Sequence, residues 1–244
     1  MSYYGGFAPY VSVAERKKRA EKAVEKLRKK DSTISPVVVE GRKIAKTWWG
    51  KSWINNLESY ADYGNRLSRG RSYVRHGSVL DLKMIKGNIK ALVQGSDTQP
   101  YKINIEIKAL DQTSWKHIVD ECLGQIESME ELIEGKFPKA LEKLFTSKGK
   151  GLFPSPKEIE LQCDCPDYAT MCKHIAAVLY GVAVKLDHEP EIFFTLRGVN
   201  INDLISEAIS KKTKTMLEKS KVKGRRVIED TEIFDMFGID MDEE

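Results

Sequence analysis

Three cysteines and one histidine fall within twelve residues, spaced as Cys163-x-Cys165, a six-residue gap, and Cys172-x-His174. Thiolate sulfur and imidazole nitrogen are the donors that zinc takes in structural sites, and four of them close a tetrahedron. Catalytic zinc instead keeps a position for water, so this set predicts a structural clip. The competing reading is free structural thiols at a coincident spacing. Asp164 and Asp167 lie between the ligand pairs. Each is either an acceptor for the second ring nitrogen of the histidine or a solvated turn acid. Pro166-Asp167-Tyr168 reads as the turn, with Pro fixing φ and Asp able to bond its own backbone.

Two elements must position these donors. Ile159, Leu161, Cys163 and Cys165 alternate, which places both thiols on one side of an extended strand. Ile175, Val178, Leu179, Val182, Ala183 and Leu186 recur at helical spacing, so a helix starts at or just before Cys172. C-x-C followed by C-x-H at a helix start resembles the SWIM zinc finger, named for Swi/Snf-type ATPases and Mutator-type transposases. The resemblance covers roughly residues 157 to 186, with all four ligand positions filled. It implies Zn2+ as the cofactor and binding to DNA or protein. It also makes a Swi/Snf-type helicase-like ATPase the first partner to test.

The chain has 244 residues, enough for one or two domains with a sizeable core. Hydrophobic residues at 41% and charged residues at 31% describe a soluble globular protein without a membrane-spanning run. The N-terminus lacks a signal-peptide apolar region, and three of the four cysteines are committed to metal. A cytoplasmic setting, nucleoid-associated in a prokaryote, is expected. The net charge of +4 hides an asymmetry: residues 229 to 244 carry eight acidic groups and no basic ones, leaving +12 over residues 1 to 228. A basic body with an acidic tail suits nucleic acid, and equally a protein that shields itself.

The predicted fold class is α+β, an antiparallel sheet with covering helices plus a small zinc-stabilised ββα-like finger. Residues 1–35 form a flexible terminus and a basic helix, with Ala20, Ala23, Val24 and Leu27 as its narrow apolar seam. Residues 36–147 form the α+β domain. It opens with a short strand at Val37 to Val39 and a helix from about Trp48 to Tyr60, capped by Thr47. Trp49, Trp53, Ile54 and Leu57 are its core stripe, with base stacking on Trp48 or Trp49 as the sharper alternative. Residues 63 to 77, YGNRLSRGRSYVRHG, read as a basic loop whose glycines admit a ligand and whose Tyr63 and Tyr73 stack on bases or sugars, or else as a solvated basic loop paired with acids elsewhere in the fold. Alternation then gives a three-stranded meander through Leu80, Leu82 and Met84; Ile89, Ala91 and Val93; and Ile103, Ile105 and Ile107. Trp115, Ile118, Val119 and Cys122 supply a covering helix, followed by helices at about Glu127 to Glu134 and from Pro138. A linker made of Ser147 to Gly151 and the prolines Pro154 and Pro156 marks the boundary before the finger, which is taken as residues 148–198. A basic helical extension capped by Asn202 covers 199–228, and an acidic-aromatic tail 229–244.

No phosphate-cradling loop, dinucleotide fingerprint, nucleophile elbow or H-E-x-x-H is present, so no catalytic residue is assigned. Two functions follow from the residues. In the first, a non-enzymatic accessory protein grips nucleic acid, DNA more than RNA, through the phosphate backbone. Its candidate contacts are Arg66, Arg69, Arg71, Arg75, Lys173, Lys221, Lys223, Arg225 and Arg226. In the second, the finger and tail form an adaptor, with Ile233, Phe234 and Phe237 docking on a partner groove. Alternatively, that tail folds back over the protein's own basic surface and competes with nucleic acid.

Overall fold

The computed structural model describes residues 12–59, 64–123, 139–147 and 149–221. The expected helix at 127–134, the cationic positions Lys223, Arg225 and Arg226, and the docking residues Ile233, Phe234 and Phe237 lie outside these, as do residues 1–11. The helix expected from Pro138 is present as a 3-10 turn over Lys139–Leu141 running into a helix over Glu142–Phe145, with Leu141 and Phe145 buried.

The sheet is the expected meander with one more strand. β1 (Val79–Ile85), β2 (Asn88–Val93), β3 (Tyr101–Ile107) and β4 (Ile159–Cys163) are antiparallel, in the order β1-β2-β3-β4. Gly87, with φ of 68°, supplies the left-handed residue that the two-residue β1–β2 turn needs. Leu82, Ile89, Ala91, Val93, Ile103, Ile105 and Ile107 are buried on one face. Lys83, Lys90, Lys102, Asn104 and Glu106 alternate with them and form an open polar face, so a period of two is enough to orient the sheet.

The buried face is covered by a helix of unusual composition. In the chain-order numbering used here, α1 is Val13–Arg28, α2 Trp48–Glu58, α3 Gly64–Arg75, α4 Gln112–Leu123, α5 Glu142–Phe145, α6 Lys173–Leu186, α7 Ile192–Leu196 and α8 Ile201–Lys221. Twelve of the fourteen residues of α6 are buried. A helix apolar all round is a core element, not a surface one. It lies between the sheet on one side and α2 and α3 on the other.

Three expectations change. Residues 64 to 75 form helix α3, not a loop. Its seam of Leu67, Gly70, Tyr73 and Val74 is buried, but a leucine and a glycine carry so little apolar signal that the arginines mask it. Gly70 faces α6: a Cβ there would stand 2.5 Å from the Ala176 Cβ and 3.0 Å from backbone atoms of Ala176 and Ala177. The glycine admits a helix, not a ligand. Val37 to Val39 is not a strand. The segment runs beside β1 and bonds it at two points, Val37 N–H to the Val79 carbonyl and Leu82 N–H to the Ser35 carbonyl. Pro36 has no N–H to extend the ladder, and the β1 register slips between Val79 and Asp81. Asn200, not Asn202, caps α8, its side chain accepting from the Asn202 N–H at 3.0 Å.

Helix α1 buries only Ala20 of its expected seam and is capped by Ser12. In α2, Trp53 and Leu57 are buried and Thr47 is the cap, as expected. The Trp53 indole donates to the Leu179 carbonyl at 2.9 Å, and that of Trp49 to the Leu186 carbonyl at 2.8 Å. Trp48 packs edge-on against Trp49 at 5.5 Å, so this tryptophan pair is built into the junction with α6. Ile118, Val119 and Cys122 of α4 are buried, with Trp115 packed against Phe194 of α7. Residues on both sides of position 148 share one sheet and one core. Leu152 and Phe153 of the expected linker are buried, and Phe153 packs against Phe193 at 4.8 Å. No helix among the described residues is long and apolar enough to cross a membrane.

Candidate metal centre

Cys163 ends β4, and its partner across the ladder is Ile103 of β3. The chain then leaves the sheet, held by the Asp164 carboxylate, which accepts the Lys102 N–H at 2.9 Å. Cys172 is the N-cap of α6, and its sulfur accepts the Ile175 N–H at 3.5 Å. His174 is the second residue of that helix. Strand end and helix start thereby bring the ligand atoms of Cys163, Cys165, Cys172 and His174 within 4.8 Å of one another.

The dimensions fit zinc. The Nδ1 of His174 lies 4.0 Å from the Cys163 sulfur and 3.9 Å from that of Cys172. A tetrahedron with zinc–sulfur near 2.3 Å and zinc–nitrogen near 2.0 Å has sulfur–nitrogen edges of about 3.5 Å, so a small contraction seats the ion. Electrostatics favours the ligand form. A hydrogen bond from the Cys163 thiol, helped against burial by His174 and the Ile175 N–H, pulls the Cys172 thiol down to about 3. The same shared proton, together with burial, pushes the Cys163 thiol up. Zinc replaces that proton as the group the thiolates share.

The histidine is held by rings. Tyr101 lies over it at 4.5 Å and 35°, and Tyr73 meets it edge-on at 5.4 Å. Its Nε2 is buried with no hydrogen-bond partner among the described residues. Neither Asp164 nor Asp167 serves it. Asp164 bonds the Lys102 backbone, and Asp167 accepts from the Arg66 guanidinium at 3.0 Å and the Ala169 N–H at 3.3 Å. Gly95 closes this side, since a Cβ there would stand 2.9 Å from Nε2. Tyr73, expected as a stacking contact for bases or sugars, is instead buried against the histidine because α3 packs on α6, and Tyr101 and Gly95 carry no expected role at the site. The available signal was Tyr101 itself, in phase with Ile103 and Ile105 on the inner face of β3.

The cationic candidates divide into two groups. Arg66 is spent on Asp167, and Arg71 on Glu58 at 2.5 Å, lying 5.5 Å over the Tyr180 ring. The Tyr180 hydroxyl donates to the same Glu58 carboxylate at 2.7 Å, so Arg71 belongs to a structural link between α2, α3 and α6. Arg69 and Arg75 are exposed and form no ion pair among the described residues; Arg75 reaches only the Arg42 carbonyl at 3.4 Å. Lys173 is half-buried beside the centre. Lys221 ends α8, and its side chain is not described.

Residues 148–180 match the family model of the SWIM zinc finger. The chain therefore carries a SWIM zinc finger with a Cys3His site for Zn2+. Over 164 residues it is 40% identical to a Mycobacterium tuberculosis (strain H37Rv) protein described as "Uncharacterized protein Rv2102". That match takes in 67% of this chain and 59% of the relative, so the chain spans less than two thirds of the relative's length. No solved structure matches.

Proposed function

We propose that this is a non-enzymatic, cytoplasmic zinc-finger protein that binds nucleic acid through the phosphate backbone. The observation that supports it most is the pair Arg69 and Arg75 on α3, exposed and without acidic partners among the described residues. The metal set leaves no open position for a reacting water, which favours a clip over a catalyst. The test is a salt titration of DNA and RNA binding by the zinc-loaded full chain. Affinity is expected to fall linearly on a log–log plot, with a slope set by the phosphates neutralised. A flat response, or no binding near physiological ionic strength, rejects the proposal.

A second reading is an adaptor that recruits a protein, with a Swi/Snf-type ATPase as the first to try. Ile209 and Met216 favour it, because they lie exposed two turns apart on α8. Affinity capture with and without nuclease separates the two, since nucleic-acid bridging disappears with nuclease and direct protein contact does not.

A further inference from the structure

Tyr168 stands wholly in solvent, at 103% relative exposure, in the turn between the two ligand pairs. Aromatic rings on loose loops are commonplace, but this turn is anchored. Cys165 and Cys172 at its ends are zinc ligands, and Asp167 in its middle is tied to Arg66 of α3 and to the Ala169 N–H. A rigid mount lowers the ordering entropy that a ring loses on stacking.

The helix to which this turn is tied is cationic. Arg69 follows Arg66 by one turn of α3, and Arg75, nine residues and about 14 Å on, lies on the opposite flank; both are exposed. An exposed ring therefore stands on an anchored turn bound to a helix that presents two guanidiniums to solvent.

We propose that Tyr168 is a base-stacking contact of a site for single-stranded nucleic acid, in which the exposed Arg69 and Arg75 of α3 hold the phosphates. The proposal rests on the nucleic-acid reading above and specifies its substrate. A single strand is favoured because stacking needs the face of an unpaired base, whereas a duplex groove offers only base edges. Every base has such a face, so little sequence preference is expected.

The test is anisotropy titration of a labelled oligothymidylate, and of a duplex of equal length, with the zinc-loaded full chain. Tyr168→Ala is expected to weaken single-strand binding by roughly five- to a hundredfold while Tyr168→Phe retains it. Duplex affinity is expected to hold in both. The salt slope is expected to survive Tyr168→Ala, and to shrink by about 1.4 in Arg69→Ala/Arg75→Ala. The Tyr168 side chain packs on nothing, so zinc content and far-UV circular dichroism should match wild type in each Tyr168 variant. Unchanged single-strand affinity in Tyr168→Ala, or equal losses on single strand and duplex, overturns the stacking role and leaves the broader function standing. Failure of the wild-type chain to bind either nucleic acid overturns both.

Discussion

The four cysteines have the same side chain and opposite roles, and the difference lies in what surrounds each sulfur. Cys122 is fully buried in the α4 seam, and burial pushes its thiol up to about 12. It stays protonated and inert. The other three converge on His174, where a hydrogen bond from the Cys163 thiol pulls the Cys172 thiol down. Alkylation followed by mass spectrometry is expected to show four protected cysteines in the zinc-loaded protein. After chelation Cys163, Cys165 and Cys172 become reactive, while Cys122 reacts only on global unfolding. Cys172→Ser is expected to lose the metal; full zinc content in that variant would contradict the ligand assignment. The aromatic seat of His174 adds a residue that carries no ligand atom. Gly95→Ala drives a methyl into Tyr101 and against Nε2, so competition with a chromogenic chelator should report weaker zinc binding.

Among the elements, α3 shows most plainly how a helix escapes detection. Helical periodicity is read from large apolar residues, and the seam of α3 has Leu67 and Val74 at its ends with Gly70 at the point of closest approach. Only the presence of α6 explains the glycine. Gly70→Ala gains about 0.5–1 kcal/mol of helix propensity, because the unfolded chain loses freedom. The new methyl meets the Cβ and backbone of Ala176, which sit inside a buried helix and cannot yield as a flexible side chain would. Overpacking of this kind costs about 1–3 kcal/mol, so the clash wins. Urea denaturation is expected to show Gly70→Ala destabilised by about 1–2 kcal/mol, and Gly70→Leu more strongly. An Ala variant as stable as wild type would mean that α3 does not approach α6 so closely.

At the scale of the molecule, the finger is not an appendage. β4 completes the sheet, α6 is its central helix, and Arg197, 3% exposed, binds the region together behind them. That guanidinium donates to the Lys108 carbonyl at 2.7 Å and to Glu158 at 2.6 Å, joining the end of β3, the turn before β4 and the end of α7. Removing one member of a buried pair strands the other, so Arg197→Met is expected to cost about 2–4 kcal/mol. Burial raises the Glu158 carboxyl, but the Ser155 backbone, Arg197 and the Ser155 hydroxyl outweigh it and hold the group below its ordinary 4.5. A depressed carboxyl stabilises the fold above its unfolded pKa and loses that contribution as pH falls through the folded value. The stability difference between wild type and Glu158→Gln should therefore be full at neutral pH and shrink below about 4.5. Taking the difference cancels the acid loss of zinc that both proteins share.

Much of this was legible in the chain itself. Cys-x-Cys and Cys-x-His spacing pointed to the metal set, with the strand end carrying Cys163 and the helix start Cys172 and His174; Cys165, expected on the strand, sits in the bend beyond it, because the chain leaves the sheet after Cys163. Alternation determined three strands and their buried face, and Thr47, Trp53, Ile118 and Cys122 took their expected places. Periodicity reports which face of an element is apolar, but not which element that face will meet. Tertiary structure therefore decided that β4 joins the meander, that α6 is buried on all sides, and that Tyr101, Tyr73 and Gly95 enclose His174. It also sorted identical arginines: Arg66 and Arg71 met carboxylates from distant segments, whereas Arg69 and Arg75 met none among the described residues, and that difference depends on contacts no local pattern records.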